Sequence, residues 1–340
     1  MIDVLVVGGG PAGLAAALHA SAAGFETVVL EPRTGTVDKA CGEGVMPSGV
    51  RALTALGACL PPGRPLRGIR YVREHHHAEA LFDAGPGRGI RRTDLHAALL
   101  RRAEAAGVGP VPGRVTEVAQ DADGVTAGGL RARWLIAADG LHSPVRRALG
   151  LDLPPGPRAP RRYGQRRHYR MAPWSDLVEV HWSRTGEAYV TPVADDLVGV
   201  AVLSSRRGGF DEHLAGFPAL RARLTGEPAT AVRGAGPLRQ RARTRVAGRV
   251  LLVGDAAGYV DALTGEGIAL GLASARAAVA CLRAGRPEAY DRQWRVLTRR
   301  HRVLTEALVR VAGRPAAAHL LVPTASALPR VFGAAVRALQ

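Results

Sequence analysis

The first thirty residues combine two short apolar runs with a glycine-rich turn between them. Residues 2–7 are largely apolar and rich in β-branched side chains, which predicts a buried parallel strand. Residues 8–13 predict a turn, and residues 14–23 are good helix formers. A second apolar run at residues 27–30 predicts another strand, which ends at Glu31. The chain therefore begins with a strand, a turn, a helix and a second strand.

Residues 34–150 alternate between glycine- or proline-rich segments and short apolar runs. The pattern predicts a loop at 34–38, a helix at 48–57 and a second helix that opens within 89–95 and runs to about 106. It also predicts an edge strand or hairpin at 69–73, short strands at 114–119 and 124–127, a buried strand at 133–137 and a further helix beginning within 141–147. Thr93 or Asp94 would cap the second helix. Three adjacent histidines at 75–77 point to opposite faces of any strand, so they predict a solvated loop and not a metal site.

The pattern changes after a proline-rich boundary at residues 151–161. Alternating strands with turn residues between them are predicted at 163–169, 177–182, 188–193 and 197–203, as is typical of an antiparallel sheet. A buried strand at 248–253 and an alanine-rich helix to about residue 281 then return the chain to the first kind of structure. Residues 290–340 are basic with apolar positions at helical spacing, which predicts packing against the body. A membrane-surface helix is the less favoured alternative.

Together these elements predict a mixed α/β fold with a Rossmann-like dinucleotide-binding domain and an inserted antiparallel-sheet domain for the substrate. The first domain is discontinuous and takes residues 1–60, 89–150 and 246–300. The second takes 61–88 and 151–245, and residues 301–340 form a helical tail. The cleft between two such domains is a favoured binding site.

Composition narrows the class of protein. The chain has 340 residues, 47% of them hydrophobic, and a formal net charge of +17, but Lys39 is its only lysine and its arginines are scattered, which does not favour nucleic-acid binding. Three widely spaced cysteines favour neither a disulfide framework nor a zinc site and suit a reducing cytoplasm. A core strand at the N-terminus and the absence of a long apolar run predict a protein without a signal peptide or membrane span.

The turn after the first strand has the features of a dinucleotide site. Gly8 would permit the tight turn, Gly10 would let the backbone approach a pyrophosphate, and Gly13 would let the helix pack on the strand. Glu31, at the end of the second strand, could accept hydrogen bonds from an adenosine ribose. Strand, turn, helix, strand and carboxylate occur in the required order, so dinucleotide binding is expected.

Later segments place further polar groups at strand ends and helix starts. Residues 39–47 are either an irregular connection or a close approach to a flat or phosphorylated ligand. Arg92 precedes a predicted helix and could bind a pyrophosphate. Asp139 and Asp255 follow buried strands, where ligands bind in open α/β sheets. Gly265 and Gly267 would leave amides free at a helix N-terminus.

These motifs, in this order, resemble the flavoprotein superfamily of aromatic hydroxylases, geranylgeranyl reductases and flavin-dependent halogenases. The resemblance covers residues 1–150 and 246–285, and it implies a Rossmann-like FAD-binding domain of the aromatic hydroxylase type. Residues 39–44 (KACGEG) and 254–268 most resemble the geranylgeranyl reductase branch. The strand at 188–192 (AYVTP) keeps only the Tyr and Pro of that branch's pattern, and the paired tryptophans of the halogenases are absent.

The resemblance implies a set of flavin contacts and assigns Cys41 as the only candidate catalytic side chain, since the flavin carries the chemistry. The cofactor contacts implied by motif and resemblance are Gly8, Gly10, Ala12, Gly13, Glu31, Arg33, Cys41, Gly42, Gly44, Arg92, Val115, Asp139, Asp255, Gly265, Gly267 and Ile268. The inserted sheet offers Trp174, Tyr189 and Pro192 as a substrate wall, with plain sheet core as the equal alternative. No metal is expected.

The resemblance implies an FAD-dependent monooxygenase that hydroxylates an aromatic or polyketide-like small molecule in secondary metabolism, with NADPH or NADH as the reductant. The runner-up is a geranylgeranyl reductase-like enzyme that reduces carbon–carbon double bonds of an isoprenoid or lipid. A third interpretation, from another class, is a flavin- or dinucleotide-binding protein without catalysis. The expected partner is a small-molecule substrate; nucleic acid is not expected, and membrane contact is not favoured.

Overall fold

The computed structural model describes residues 1–154, 156 and 161–338. The predicted proline-rich boundary at 151–161 therefore lies partly outside the described residues, as do the last two residues of the predicted tail. The helices of the described residues are α1 (Pro11–Ala22), α2 (Pro47–Ala55), α3 (Arg92–Ala105), α4 (Pro144–Ala148), α5 (Phe210–Leu214), α6 (Pro218–Arg223), α7 (Gly267–Arg283), α8 (Ala289–Ala312), α9 (Pro315–Ala327) and α10 (Pro329–Arg337).

Strands occupy both halves of the chain and are numbered in chain order. They are β1 (Ile2–Val7), β2 (Thr27–Glu31), β3 (Gly44–Val45), β4 (Arg64–Leu66), β5 (Gly68–Arg73), β6 (His76–Leu81), β7 (Gly87–Gly89), β8 (Pro110–Pro112), β9 (Val118–Gln120), β10 (Val125–Ala127), β11 (Leu130–Ala137), β12 (Tyr163–Arg170), β13 (Leu177–Trp182), β14 (Glu187–Ala194), β15 (Leu197–Ser204), β16 (Glu227–Pro228), β17 (Arg233–Ala235), β18 (Gln240–Arg241), β19 (Val246–Ala247), β20 (Val250–Leu252) and β21 (Gly258–Tyr259).

The first sheet has the order β19-β20-β11-β1-β2-β8, with β10 and β9 attached beside β11. Strand β1 pairs in parallel with β2 and β11, and β11 pairs in parallel with β20. Helices α1 and α7 pack against each other beside this sheet. The inner residues of β1, β11 and β20 are almost fully buried. The mixed α/β fold predicted from the sequence is confirmed, because apolar runs far apart in the chain pair in parallel at the centre of one sheet.

Two predictions in this half of the chain are wrong. The strand predicted at 114–119 begins only at Val118. Helix α3 begins at Arg92, within the segment predicted to open it, but Thr93 and Asp94 lie inside its first turn and neither caps it. The physical reason is that the Arg92 amide donates a 2.8 Å hydrogen bond to the carboxylate of Glu43, so a side chain distant in sequence satisfies this helix end.

The second sheet has the order β16-β12-β15-β14-β13-β5-β6, with β17 beside β12. Its four central strands are antiparallel, as the alternating pattern at 163–203 predicts. Strand β5 pairs antiparallel with β6, which confirms the hairpin, and parallel with β13, so it is not the edge strand. His76 and His77 are exposed on β6 itself, which corrects the predicted loop for those two residues.

The C-terminal helices cover one face of the second sheet. Helices α9 and α10 both contact β6, and α8 contacts α7 and α9. The Tyr71 ring lies 4.8 Å from that of Phe332 and 5.3 Å from that of Trp182, between ring centroids. An apolar layer thus joins the sheet to the tail, as the helical spacing predicts. None of the helices in the described residues has both the length and the apolar content to span a bilayer.

Candidate cofactor and substrate site

The glycine turn after β1 brings the N-terminus of α1 to the end of the parallel sheet. A Cβ atom on Gly13 would lie 1.8 Å from the Gly8 carbonyl oxygen, and one on Gly8 would lie 2.5 Å from the Ala138 carbonyl oxygen. Gly8 also has a φ of 106°. A Cβ on Gly10, in contrast, would meet no atom within 4 Å. The helix therefore presents its first amides to open space, where they can bind an anion.

Glu31 is held as a carboxylate beside this turn. Its Oε2 accepts a 2.8 Å hydrogen bond from the Gly9 amide, and its Oε1 accepts from the amide and the Nε of Arg33 at 3.1 and 2.7 Å. Burial alone would raise the pKa of Glu31, but the hydrogen bonds from Arg33 and Gly9 hold that pKa below its usual value. An ionised acceptor at this strand end suits a ribose hydroxyl.

Arg92 supplies a buried positive charge to the same cleft. Its side chain is only 7% exposed, and among the described residues its Nη1 has no hydrogen-bond partner. Burial lowers the pKa of Arg92, and nearby acidic groups, which include Asp255 and Glu43, oppose this shift. A buried guanidinium nitrogen left without a partner is costly. This atom fits the pyrophosphate of a dinucleotide, which would supply the missing acceptor.

Lys39 is a cleft residue that the sequence did not predict. Its Nζ lies 3.1 Å from the position of a Cβ on Gly140. Desolvation and then Arg33 lower the pKa of Lys39, whereas Asp255 opposes them. The only lysine of the chain thus lies beside Gly140 and interacts electrostatically with Asp255. Because Lys39 is the first residue of the KACGEG motif, its place in that motif was a usable indication.

The loop at 41–44 is tied to the second sheet through Glu43, whose role the sequence also did not reveal. Glu43 is buried and has a φ of 60°, a rare conformation for a residue with a side chain. The Nδ1 of His168 accepts from Arg166 at 3.1 Å, so its Nε2–H donates to the Glu43 carboxylate at 2.5 Å. The hydroxyl of Thr191 donates to the Gly42 carbonyl at 2.7 Å. Loop and sheet are therefore fixed relative to each other.

Cys41 lies in this loop with its sulfur accepting a 3.3 Å hydrogen bond from the Glu43 amide. Desolvation and then the Glu43 carboxylate raise the pKa of the Cys41 thiol. The thiol is therefore protonated near neutral pH, and a thiolate nucleophile is not favoured at this position. A Cβ on the neighbouring Gly42 would meet no atom within 4 Å, so the backbone beside Cys41 faces open space.

Asp255 and the start of α7 form the opposite side of the cleft. Asp255 lies in a 3-10 turn directly after β20, and desolvation raises its pKa. Helix α7 begins at Gly267, and no side chain caps it, so its first amides can stabilise negative charge. Between Gly265 and Gly267, Glu266 accepts a 3.4 Å hydrogen bond from Ser48. Burial raises the pKa of Glu266 to about 8.

Three residues that were expected to contact the cofactor, Asp139, Val115 and Ile268, make contacts within the protein. One oxygen of Asp139 accepts from the Val145 amide at 3.0 Å, and the other has no partner among the described residues. Val115 is buried in the core of the first sheet, and Ile268 packs against that core. For Val115, a cofactor contact would have to be made through the backbone.

The three residues offered as a substrate wall do not share one face. Side chains alternate along β14, so Tyr189 faces the cofactor domain, where its hydroxyl donates to the Leu263 carbonyl at 2.8 Å. Trp174 and Pro192 instead line a small cavity on the far face of the sheet, where the guanidinium carbon of Arg223 lies 4.3 Å from the Trp174 ring centroid. The inclusion of Trp174 and Pro192 is therefore corrected, and only Tyr189 remains.

Fold and cleft define the class: the chain belongs to the FAD-dependent oxidoreductases of the aromatic hydroxylase and geranylgeranyl reductase superfamily. Residues 1–165 match the FAD binding domain family. The chain is 30% identical over 324 residues to the menaquinone reductase of Mycobacterium tuberculosis, covering 82% of this chain and 76% of that relative. It is 29% identical to digeranylgeranylglycerophospholipid reductase 1 of Methanothermobacter thermautotrophicus, covering 80% and 74%.

Solved structures with this fold include flavin-dependent brominase Bmp2, which has a TM-score of 0.84 and 16% identity and covers 99% of this chain and 93% of the brominase. Halogenase PltM in complex with phloroglucinol and FAD has a TM-score of 0.76 and 16% identity, with coverages of 99% and 86%. These similarities establish the fold.

Proposed function

We propose that this FAD-dependent oxidoreductase is a monooxygenase that hydroxylates a compact aromatic or polyketide-like molecule, with NADPH or NADH as the reductant. The supporting observation is the position of β14. Thr191 and Tyr189, on its cofactor face, donate 2.7 and 2.8 Å hydrogen bonds to the carbonyls of Gly42 and Leu263. The strand is therefore tied to both loops that would flank the flavin ring, and this close approach favours a small planar substrate over a long one.

The apolar layer beyond Tyr189 also favours a compact substrate. Tyr71, Trp182 and Phe332 pack together on this face of the sheet, and side chains of α9 and α10 complete the layer. A long isoprenoid chain would have to displace these side chains. In this proposal residues 1–60, 89–150 and 246–300 hold the cofactor, and 61–88 and 151–245 hold the substrate.

The residues of the chain position and dehydrate the reactants. Arg92 and the first amides of α1 would hold the pyrophosphate, and the amides of Gly267 and Ile268 would stabilise negative charge on the ring. When bound, FAD supplies the transfer of two electrons from the nicotinamide to dioxygen. One oxygen atom enters a carbon–hydrogen bond of the substrate and the other leaves as water. The apolar layer beside Tyr189 excludes bulk water.

Isotope labelling tests this proposal. The FAD-loaded protein is incubated with NADPH, isotopically labelled dioxygen and a panel of phenols and naphthols, and the products are analysed by mass spectrometry. We expect one labelled oxygen atom in the product, formed only when NADPH or NADH is present. A product that forms equally well without dioxygen would contradict hydroxylation. In this proposal the enzyme works in the cytoplasm, in secondary metabolism.

The second candidate is reduction of a carbon–carbon double bond in an isoprenoid or lipid. The names of the two reductase relatives favour it, as does the KACGEG motif. Anaerobic incubation with reduced FAD and menaquinone would then give a product heavier by two hydrogen atoms and without added oxygen. A flavin-binding protein without catalysis would show no bleaching of the flavin absorbance by NADPH or NADH on a catalytic timescale.

A further inference from the structure

A cavity of about 280 Å³ lies beside the 3-10 turn at 254–257. It is bounded by residues 239–245, this turn, and helices α7 and α8. Ala12, in the first turn of α1, packs on Gly254 so closely that a Cβ on that glycine would lie 2.9 Å from the Ala12 Cβ. Gly271 also lines the cavity and contacts Ala12. The cavity therefore borders the turn and the helix that flank the proposed cofactor site, and most of its lining takes no part in that site.

Arginine dominates the lining of this cavity. The arginines are Arg239, Arg241, Arg243, Arg245, Arg295 and Arg302. The carboxylates in the lining are Asp255, which belongs to the cofactor cleft, and Glu306. Four of these arginines come from residues 239–245 and two come from α8.

Three of these six arginines form ion pairs, and they share two carboxylates. Glu306 pairs with Arg239 at 3.2 Å. Asp291, just outside the lining, pairs with Arg245 at 3.5 Å and with Arg295 at 2.7 Å. The other three are Arg241, Arg243 and Arg302. No carboxylate of the described residues lies within ion-pair distance of them, and the residues outside the described ranges have no acidic side chain.

The aromatic wall of the cavity keeps two guanidinium groups in place. The guanidinium carbon of Arg245 lies 3.9 Å from the Trp294 ring centroid, and that of Arg302 lies 5.5 Å from it. Trp294 is itself buried. His301 adds a neutral polar group, because desolvation lowers its pKa to about 4. Charges of one sign around a concave surface concentrate anions there.

We propose that this cavity binds the phosphate groups of a small anionic molecule. Arginine is the side chain whose planar donors best match phosphate oxygens, and three uncompensated guanidinium groups suit a diphosphate. The volume is at the lower end for organic ligands, so the cavity takes the phosphates and leaves the rest of the molecule outside. The phosphates could come from a nicotinamide dinucleotide or from a substrate that carries a diphosphate.

Pyrophosphate tests the site directly. Isothermal titration calorimetry is performed on protein saturated with FAD, so that the cofactor's own pyrophosphate position is filled. We expect saturable binding that weakens at least about tenfold in Arg302→Gln and in Arg241→Gln, and that weakens further as the salt concentration rises. The control is Arg299→Gln, because Arg299 is exposed on α8 and does not line the cavity.

Absence of saturable binding, or equal affinity in Arg302→Gln and Arg299→Gln, overturns the proposal. Binding is measured without turnover and with FAD content monitored, so this outcome is independent of the proposed hydroxylation. Competition by NADP⁺ or NAD⁺, which cannot reduce the flavin, identifies the source of the phosphates. If either dinucleotide displaces pyrophosphate, the site belongs to the electron donor. If pyrophosphate binding depends on Arg302 and neither dinucleotide displaces it, the site belongs to a substrate diphosphate.

Discussion

At the scale of single residues, Arg92 combines burial with an unsatisfied donor. Its backbone amide is taken by Glu43 and its side chain is almost fully enclosed, yet Nη1 has no acceptor among the described residues. Such an atom costs free energy unless a ligand completes its hydrogen bonds. The cofactor would therefore recover this cost when it binds.

We predict that Arg92→Gln weakens FAD binding by roughly 10- to 100-fold, because a charge-assisted hydrogen bond to phosphate contributes about 1.5–3 kcal/mol. The measurement is a titration of apoprotein with FAD followed by flavin fluorescence. Arg101→Gln is the matched control, since Arg101 is an exposed residue of the same helix. If both variants bind FAD as the unchanged protein does, Arg92 does not contact the pyrophosphate.

Glu266 gives a prediction for pH. Burial raises its pKa from 4.5 to about 8, so between these values the folded protein holds a proton that the unfolded chain releases. The stability that this proton contributes is complete below about pH 4.5 and is lost as the pH rises through about 8. Glu266→Gln keeps a neutral side chain at every pH and removes this dependence.

We therefore expect the free energy of unfolding of Glu266→Gln, relative to the unchanged protein, to increase with pH by up to about 1.4 kcal/mol per unit across this range. Urea denaturation at several pH values measures the difference. Glu288→Gln, at an exposed position, should show no such trend. A constant difference between Glu266→Gln and the unchanged protein would mean that Glu266 ionises normally in the folded state.

At the scale of elements, β14 is held by two side-chain hydrogen bonds on its cofactor face, from Tyr189 and from Thr191 two positions further along the strand. Tyr189→Phe removes the bond to the Leu263 carbonyl and leaves that acceptor buried, so we predict a loss of about 1–3 kcal/mol in the free energy of unfolding. Tyr163→Phe is the control, because no hydrogen bond of the Tyr163 hydroxyl occurs within the described residues. Denaturation with urea compares the two, and equal losses would refute the importance of the Leu263 contact.

Elements with a strong local pattern were predictable, and those fixed by distant partners were not. The central strands of the second sheet are alternating or apolar runs separated by turn residues, and this local pattern locates them. The start of α3 depends on Glu43, and no local pattern reveals that a carboxylate 49 positions earlier satisfies its first amide. Trp174 and Pro192 were wrong as wall residues. The packing of the two sheets decides which face of a strand meets the cofactor, and the sequence of the strand does not reveal that packing.

At the scale of the cofactor cleft, the glycine turn, Glu31 and Asp255 have recognisable spacings, and the structure brings them together. Lys39 and the pair formed by Glu43 and His168 belong to the same region, but only the fold joins them. His168 comes from β12, 125 residues beyond its partner. Buried polar partners of this kind are specified by three-dimensional proximity, which a single sequence does not contain.

At the scale of the whole molecule, the C-terminal helices are part of the core. Phe332, on α10, is 8% exposed and packs on Tyr71 of the second sheet. We predict that Phe332→Ala lowers the free energy of unfolding by about 3–5 kcal/mol through loss of buried area and creation of a cavity. Val331→Ala is the control, since Val331 is 62% exposed and should change stability by no more than about 0.5 kcal/mol.

Chemical denaturation of both variants distinguishes a packed tail from an appended one. If Phe332→Ala behaves like Val331→Ala, the tail does not contribute to the cooperative unit. The expected difference follows from the position of Phe332 between the sheet and the neighbouring helices, which the helical spacing of the tail predicted only in general terms.

The parallel pairing of β5 with β13 has a consequence during synthesis. The hairpin of β5 and β6 leaves the ribosome long before its partner, because Arg73 and Leu177 are separated by roughly 100 residues of chain. At about 5–20 residues per second, the hairpin waits roughly 5 to 20 seconds with one edge open. During that interval the unpaired edge of β5 is open to pairing with other chains, and slower translation would prolong the exposure.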